Sequence, residues 1–313
     1  MARAICCRKW FPKRRGQSRR GPKECWLRSG DFQRSKAGSI ARRRAPFVRV
    51  VLGVSYRGQA YHGWQSQPSG NTVQDQLERA LSRFADQRVR TVCAGRTDTG
   101  VHALNQVVHL DTDIDRQSAS WVRGTNRYLP ADIAVQWSAV VPEAFHARYS
   151  AQGRRYVYVL RESAVRPAIE AGSVGWSFRA LDRSAMEAGA AHLVGQHDFS
   201  ALRSAECQAA SPVKTIHSVR IHRHGAYWRF EFDANAFLHH MVRNIMGCLV
   251  AVGSGARTAE WLAAVLASRE RRLAARTFPA DGLYFVGPYY DPAHAIPADP
   301  VALDWLPGAP AAQ

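Results

Sequence analysis

The stretch TVQDQLERALSRFADQRVRTVCA, residues 72–94, changes from one periodicity to another. As far as Ala85 its apolar residues recur at helical spacing, and Asn71 or Thr72 can cap the first turn. From 89 to 94 a short run rich in β-formers predicts a strand. The stretch therefore predicts a helix followed closely by a strand, as in proteins that pack helices on a sheet.

Similar patterns lie on both sides of this stretch in the first half of the chain. They predict three further strands and a second helix: strands at 47–54, 106–110 and 133–141, and a helix at 118–128. The resulting order, β-α-β-β-α-β, is the split βαβ arrangement of ferredoxin-like domains. We therefore expect an N-terminal α+β domain over residues 46–150.

The second half shows a related order of elements without a repeat of sequence. The patterns predict three strands before the helical end, and a final strand: strands at 154–160, 213–224, 227–233 and 282–286, with helices at 184–194, 238–252 and 259–268. His224-Gly225 predicts the turn of a hairpin. The predicted fold class is α+β, with two ferredoxin-like units and largely antiparallel sheets, the second unit spanning 151–292. A Pro/Ala-rich tail is expected over 293–313.

The charge is concentrated at one end of the chain. The sequence has 43 Lys+Arg and 25 Asp+Glu, a formal net charge of +18. Residues 1–45 contain 15 basic and two acidic residues, a net charge of +13, which leaves +5 for the rest. Such a segment is predicted to be a disordered basic extension. Three origins stay open: an RNA-binding arm, a targeting segment, or sequence upstream of the true start.

Composition excludes several classes of protein. No apolar run approaches the roughly 18–20 residues of a membrane span, so no membrane association is expected. The six cysteines are scattered without a CxxC pair, which argues against a disulfide framework or a zinc ribbon and for a reducing compartment, here predicted to be the cytoplasm. The basic balance favours a polyanionic partner such as nucleic acid.

The segment CAGRTDTGVHA, residues 93–103, is the densest cluster of chemically reactive side chains. A strand enters a turn between Gly95 and Gly100, where glycine permits a positive φ or a close approach of the backbone to a ligand. The turn would present Arg96, Asp98 and His102. By itself, the short string RTD favours an aspartate that merely closes its own tight loop.

Further motifs favour a functional role for this loop over a purely structural one. The loop occurs together with YRGQAYHGWQSQP (56–68), FHARYSAQGRRYVY (145–158), GQHDFSALR (195–203) and NAFLHHMVRNIMG (235–247). In this combination and order the chain resembles the tRNA pseudouridine synthase A family over about residues 46–290. Residues 1–45 have no counterpart in the resemblance.

The resemblance implies an activity and an assembly. Members convert uridine to pseudouridine at positions 38, 39 and 40 of the tRNA anticodon stem-loop, and they are homodimers. Their fold places two α+β units around a central active-site cleft. A noncatalytic RNA-binding module of the same fold is the alternative, and a metal-dependent nuclease is a distant third because no paired acidic ligands surround Asp98.

The resemblance also implies roles for four side chains. Asp98 corresponds to the catalytic aspartate, as nucleophile or general base, and Arg243 to the basic residue that pairs with it. Arg96 would help hold the flipped nucleotide, and Tyr156 would pack against the target base. The family pattern often has Ala where this chain has Thr99.

The chemistry explains why these residue types are needed. The isomerisation adds no atoms or electrons, so neither a cofactor nor a metal is expected. One ionised carboxylate suffices, and a nearby guanidinium keeps it charged and oriented. The target base must be flipped out of its stack, and an aromatic platform offsets part of that cost. Tyr156 fits that role, although a sheet-core tyrosine is the alternative interpretation of the same pattern.

Other side chains are weighed in the same way. Because His102 sits at the loop and Arg154 and Arg155 belong to an arginine-rich stretch near the domain junction, we expect these three to bind substrate. His239 and His240 would diverge by about 100° on a helix, so they are not expected to chelate one metal ion. Cys93 is expected to be simply buried. For Tyr61 and Trp64 two interpretations stay open: contact with RNA, or packing within the protein.

Overall fold

In the computed structural model, which describes residues 47–297, ten strands form one mostly antiparallel sheet. The strands in chain order are β1 Val48–Tyr56, β2 Val92–Cys93, β3 His102–Thr112, β4 Ile133–Val141, β5 Gly153–Glu162, β6 Gly175–Ser177, β7 Gly195–Asp198, β8 Val213–His224, β9 Tyr227–Ala234 and β10 Leu283–Tyr289. The main path across the sheet is β4-β1-β3-β10-β5-β9-β8-β7. β2 pairs with β3, and β6 pairs with β5. The α+β class expected from the patterns is confirmed.

Five α-helices accompany the sheet in the described residues: α1 Val73–Ala85, α2 Ser118–Asn126, α3 Arg183–Ala191, α4 Met241–Gly253 and α5 Ala259–Ser268. The helix of the opening stretch forms as the pattern predicts. The Thr72 side chain accepts a hydrogen bond from the Asp75 amide, which satisfies one free N–H of the first turn. Leu77 and Leu81 are fully buried on its inner face.

The last strand joins the two halves of the sheet. β10 runs parallel to β3, pairing Tyr284 with His102, and antiparallel to β5, pairing Leu283 with Tyr158. The sequence patterns predict a sheet for each half, whereas the structure has one continuous sheet. Periodicity could not reveal this because it identifies a strand without identifying its neighbours.

Two short strands escaped the sequence patterns. β6 has three residues and β7 has four, too few for an alternation to be read. The remaining strands and all five helices lie where they are expected, with ends that differ by a few residues. The hairpin turn of β8 and β9 contains Gly225 at φ +58°, as the His-Gly pair predicts.

The helices bury two large apolar clusters against the sheet. One cluster contains side chains of α1 together with β1 residues such as Leu52 and Val54, and the other contains side chains of α3, α4 and α5. Tyr156 on β5 packs against both clusters. The middle of the sheet is therefore the place where elements from both halves of the chain meet.

Two predictions concern the ends of the chain, the basic extension and the Pro/Ala-rich tail. The basic extension over 1–45 and residues 298–313 of the predicted tail lie outside the described residues. The described start of that tail packs on the body: the His294 ring lies 5.2 Å from the Phe145 ring, and Ile296 contacts a small apolar cluster. Among the described helices, none combines the length and apolar character that crossing a bilayer requires.

Candidate active site

The loop between β2 and β3, residues 94–101, is fixed by its own backbone. The Ala94 amide donates to the Val107 carbonyl (2.8 Å), and the Trp64 amide donates to the Thr97 carbonyl (3.0 Å). The Tyr56 hydroxyl and the Thr97 Oγ1 are hydrogen-bonded at 2.8 Å in a buried position. The loop is thereby held at both of its sides without using the carboxylate of Asp98.

The turn at the tip also leaves that carboxylate free. The Val101 amide donates to the Asp98 main-chain carbonyl at 3.1 Å, and Gly100 adopts φ +82°, where an L side chain is strained. Within the described part of the chain, no loop amide donates to the Asp98 side chain. The interpretation of Asp98 as a residue that only closes its own turn is therefore not supported.

The Asp98 carboxylate faces three nitrogen-bearing side chains. Nη1 of Arg243 lies 3.3 Å from Oδ2, Nε2 of His240 lies 3.5 Å from Oδ2, and Nε2 of His239 lies 3.4 Å from Oδ1. The side chains of Asp98 and Arg243 are 18% and 17% exposed, so their interaction is partly shielded from water. A second contact aims the guanidinium, because its Nε donates to the Phe278 carbonyl at 2.9 Å.

The two histidines occupy a backbone position that the sequence did not reveal. α4 begins at Met241, and His240 just before it has φ +62°, in the left-handed region. The two imidazole rings are 4.0 Å apart and both reach the same carboxylate. The expectation that they would diverge was wrong, because it assumed that both residues lie within the helix. Burial lowers the pKa of His240 below its ordinary value, and the Asp98 carboxylate partly opposes that shift.

Tyr156 is a part-buried side chain held by two other rings. Its ring meets Phe237 edge-on at 5.0 Å and Phe285 at 4.9 Å. Burial raises the pKa of the Tyr156 phenol well above its usual value, and the Asp98 carboxylate adds to the shift. The phenol therefore stays neutral, and its ring orientation is set by packing.

These groups line one cavity of about 1050 Å³. Five of the sequence-predicted site residues lie in its wall: Arg96, Asp98, Arg154, Tyr156 and Arg243. Other residues, outside the predicted set, also line the cavity. They are Arg148, three residues of the loop after β1 (His62, Gln65 and Gln67), the segment Glu206–Ala209, and the pair His239 and His240. The glutamines lie in the motif YHGWQSQP, so the quoted motif could have drawn attention to them.

The sequence is similar to proteins of a known family. A family model described as tRNA pseudouridine synthase matches residues 53–150 and 190–291. Asp98 lies in the first matched block and Arg243 in the second, whereas Tyr156 falls between them. A chain from Methylibium petroleiphilum named tRNA pseudouridine synthase A is 69% identical over 260 residues, which is 83% of this chain and 100% of the relative.

Two more relatives carry the same name. The one from Polaromonas naphthalenivorans is 61% identical over 264 residues, and the one from Paracidovorax citrulli is 60% identical over 278 residues. Each alignment covers 83% of this chain and 100% of the relative. The chain belongs to the tRNA pseudouridine synthase family.

The guanidinium of Arg154, a residue expected to bind substrate, is hydrogen-bonded to the backbone. It donates to the carbonyls of Ala94 (3.2 Å), Arg148 (2.7 Å) and Asn235 (3.0 Å). Burial lowers the pKa of Arg154 from its ordinary value. The side chain joins the start of the Asp98 loop to the segments before β5 and after β9, whereas Arg96 is exposed at the cavity wall.

The structure does not bring His102 and Arg155 into the cavity. His102 is 2% exposed: its Nδ1 accepts from the Gly58 amide, its Nε2 lies 3.1 Å from the Asp281 carbonyl, and its ring stacks on Tyr284 at 4.7 Å. Arg155 precedes Tyr156 on β5 and so points to the opposite face of the sheet. Both expectations of substrate binding are therefore at odds with where these side chains lie.

The remaining singled-out side chains are packed. Trp64 is 1% exposed and Tyr61 is 5% exposed, with the Tyr61 hydroxyl donating to Asp132 at 2.6 Å. Of the two readings left open for them, the structure favours packing. Burial raises the pKa of the Cys93 thiol to about 11, which keeps it protonated, but the residue is half-buried and not fully buried as expected.

Proposed function

We propose that this chain isomerises uridine to pseudouridine at positions 38, 39 and 40 of the tRNA anticodon stem-loop, with Asp98 acting on a flipped-out base. Family membership supports the reaction and its class, an isomerase, and the high identity to relatives named tRNA pseudouridine synthase A supports the substrate. The observation that carries the residue assignment is the Asp98 carboxylate, which meets Arg243 at 3.3 Å in the cavity wall that also contains Tyr156. The noncatalytic alternative is not favoured.

The reaction is an isomerisation that uses one carboxylate and leaves the atom count unchanged. The bond from N1 of uracil to C1′ of ribose breaks, a bond from C5 to C1′ forms, C5 loses a proton and N1 gains one. Asp98 serves as nucleophile or general base at this centre, and Arg243, 3.3 Å from its Oδ2, orients the carboxylate. Because nothing is oxidised or added, the reaction requires no cofactor and no metal.

Tyr156 is suited to receive the extruded base. Flipping costs a few kcal/mol. Stacking on an aromatic ring returns about 1–3 kcal/mol per base. Phe237 and Phe285 fix the Tyr156 ring before substrate arrives, so little further ordering is needed. Arg96, exposed at the cavity wall, supplies a cation for the nucleotide's phosphate.

The proposal includes an architecture and an assembly. The pairings of β4 with β1, β1 with β3 and β3 with β2 match the strand order of a ferredoxin-like unit, which supports two such units around a central cleft. A tRNA is much larger than a cavity of about 1050 Å³, which fits a homodimer whose two subunits share one substrate. A cytoplasmic location goes with a tRNA substrate and with scattered cysteines.

The decisive experiment compares two carboxylates of this chain. Asp98→Asn is expected to reduce pseudouridine formation in tRNA transcripts by at least about 1000-fold, because the amide is neither nucleophile nor base. Asp86→Asn is the matched control, since Asp86 is exposed at the end of α1 and asparagine tolerates its φ of +53°. Product is measured by mass spectrometry without added metal or nucleotide, and tRNA binding by filter retention.

The two variants separate chemistry from binding. Asp98→Asn should bind tRNA nearly as tightly as the wild type, and Asp86→Asn should be fully active. Normal pseudouridine formation by Asp98→Asn would refute the assignment of Asp98.

A further inference from the structure

We propose that Asp98, His239 and His240 form a binding site for a borderline divalent cation of the Zn²⁺ type, and that this cation blocks the active site. Each residue offers one ligand atom, and these three atoms lie within 4.8 Å of one another. The reaction itself needs no metal, so the site would be inhibitory. Binding of the cation stands on the geometry, whereas inhibition rests on the proposed function of Asp98.

The spacing of the ligand atoms suits zinc. Nε2 of His239 is 3.4 Å from Oδ1, and Nε2 of His240 is 3.5 Å from Oδ2. In a tetrahedral zinc site with metal–ligand distances of 2.0–2.1 Å, neighbouring ligand atoms are about 3.4 Å apart. Each imidazole therefore lies near this separation from one carboxylate oxygen, His239 from Oδ1 and His240 from Oδ2, and an ion between the rings would be bound by both oxygens, or by one of them after a rotation of the carboxylate.

The backbone holds the histidine pair in this arrangement. The Ser204 amide donates to the His239 carbonyl at 2.9 Å, and the Asn244 amide donates to the His240 carbonyl at 2.9 Å. The left-handed conformation of His240 places its ring beside that of His239. Fixed ligands lose little conformational freedom when an ion binds, so the site is preorganised.

Both imidazoles have their Nε2 available. Across residues 47–297, neither ring makes a hydrogen bond, and their separations from Asp98 are at the upper limit of that interaction. Imidazole nitrogen and carboxylate oxygen together form a donor set typical of zinc, whereas magnesium prefers oxygen ligands and bound water. The side chains are 36%, 28% and 18% exposed, so an ion can enter from the cavity.

Arg243 opposes the cation. Its Nη1 is 3.3 Å from Oδ2, so it competes for the same carboxylate and repels a second positive charge. A bound ion would take the oxygens that the reaction uses and displace the guanidinium that is hydrogen-bonded to one of them. Removal of the arginine charge should therefore strengthen cation binding while it weakens catalysis, and no merely structural role for the histidines makes that prediction.

The test is a calorimetric titration of the full chain with ZnCl₂ in the absence of RNA. His239→Asn and His240→Asn should each lose one bound Zn²⁺ or weaken it by at least about tenfold. Asparagine tolerates the left-handed conformation at 240, so folding is preserved. His62→Asn is the matched control, because His62 lines the same cavity outside the trio. Since zinc can also bind cysteines, the difference between variants, not total binding, is the readout.

Further measurements complete the design. Arg243→Gln should bind Zn²⁺ at least about threefold more tightly than the wild type. Zn²⁺ should inhibit pseudouridine formation by the wild type, and EDTA should reverse it. Equal zinc stoichiometry and affinity in the wild type and both histidine variants would overturn the proposal, as would a larger histidine-dependent difference with Mg²⁺. A fully active Asp98→Asn protein would instead refute the proposed function and leave the binding result standing.

Discussion

The protein has two aspartate–arginine pairs near opposite ends of β3, and they differ in how completely they are satisfied. Asp111 binds Arg49 through two hydrogen bonds of 2.7 and 2.8 Å, and Arg49 also donates to the carbonyls of Glu143 and Phe145. Asp98 receives one bond of 3.3 Å from Arg243. In the first pair both carboxylate oxygens are hydrogen-bonded within the protein, whereas in the second pair the carboxylate can still accept hydrogen bonds from a substrate.

The sharpest way to break this comparison is to remove the cation from each pair. Arg243→Gln should reduce the turnover number for pseudouridine formation by about 100-fold, because a preorganised charge beside the reacting carboxylate is lost. Arg49→Gln should leave turnover within about twofold, but it should lower the free energy of unfolding by about 2 kcal/mol, since bonds from a charged donor are lost. Single-turnover kinetics and urea unfolding measure the two effects.

The opposite assignment has a clear signature. If Arg243→Gln lost stability and kept its turnover while Arg49→Gln did the reverse, the satisfied pair would be the functional one. How completely a carboxylate is hydrogen-bonded would then not indicate whether it is catalytic in this fold.

Tyr156 tests whether the cavity also needs a rigid wall. Tyr156→Phe keeps the ring between Phe237 and Phe285 and should reduce turnover by only about threefold. Tyr156→Ala removes the stacking surface, worth about 1–3 kcal/mol, and should reduce turnover by about 10- to 100-fold. Thermal unfolding of both variants corrects for the cavity that alanine leaves. Equal losses in the two variants would show that the hydroxyl, rather than the ring, is what the reaction uses.

How far the sequence predicts this site depends on the range of the interaction. The Asp98 loop is local and its motif is complete, so its place between two strands could be predicted. The pairing of Asp98 with Arg243 joins residues 145 positions apart. That pairing could be expected only from the resemblance and from the need of a carboxylate for a cation.

The missed features have physical reasons as well. His102 is the first residue of β3 and not part of the turn, so its side chain enters the interior. Arg155 could have been excluded, because a strand that turns Tyr156 towards the cavity turns its neighbour away. The His239–His240 pair was misjudged because one left-handed residue starts α4 later than the periodicity indicates. The position of β10 depends on parallel pairing, which no local pattern encodes.

The smallest expected effect concerns the pH dependence of the satisfied pair. Arg49 holds the pKa of the Asp111 carboxyl below its ordinary value of 3.8, with burial partly opposing the shift. A carboxyl whose folded pKa is lowered stabilises the fold at pH values above its unfolded pKa, and that stability is lost as pH falls through the folded pKa. Because the Asp111 side chain is 46% exposed, solvent screens the pair and its worth is under about 1 kcal/mol. Urea unfolding of the wild type and Asp111→Asn should thus differ from pH 5 to 7, above the ordinary pKa of Asp111, and the difference should shrink below about pH 4. A difference that persisted undiminished at pH 3 would mean that the aspartate acts through neutral hydrogen bonds, and the contrast with Asp98 would then rest on geometry without charge.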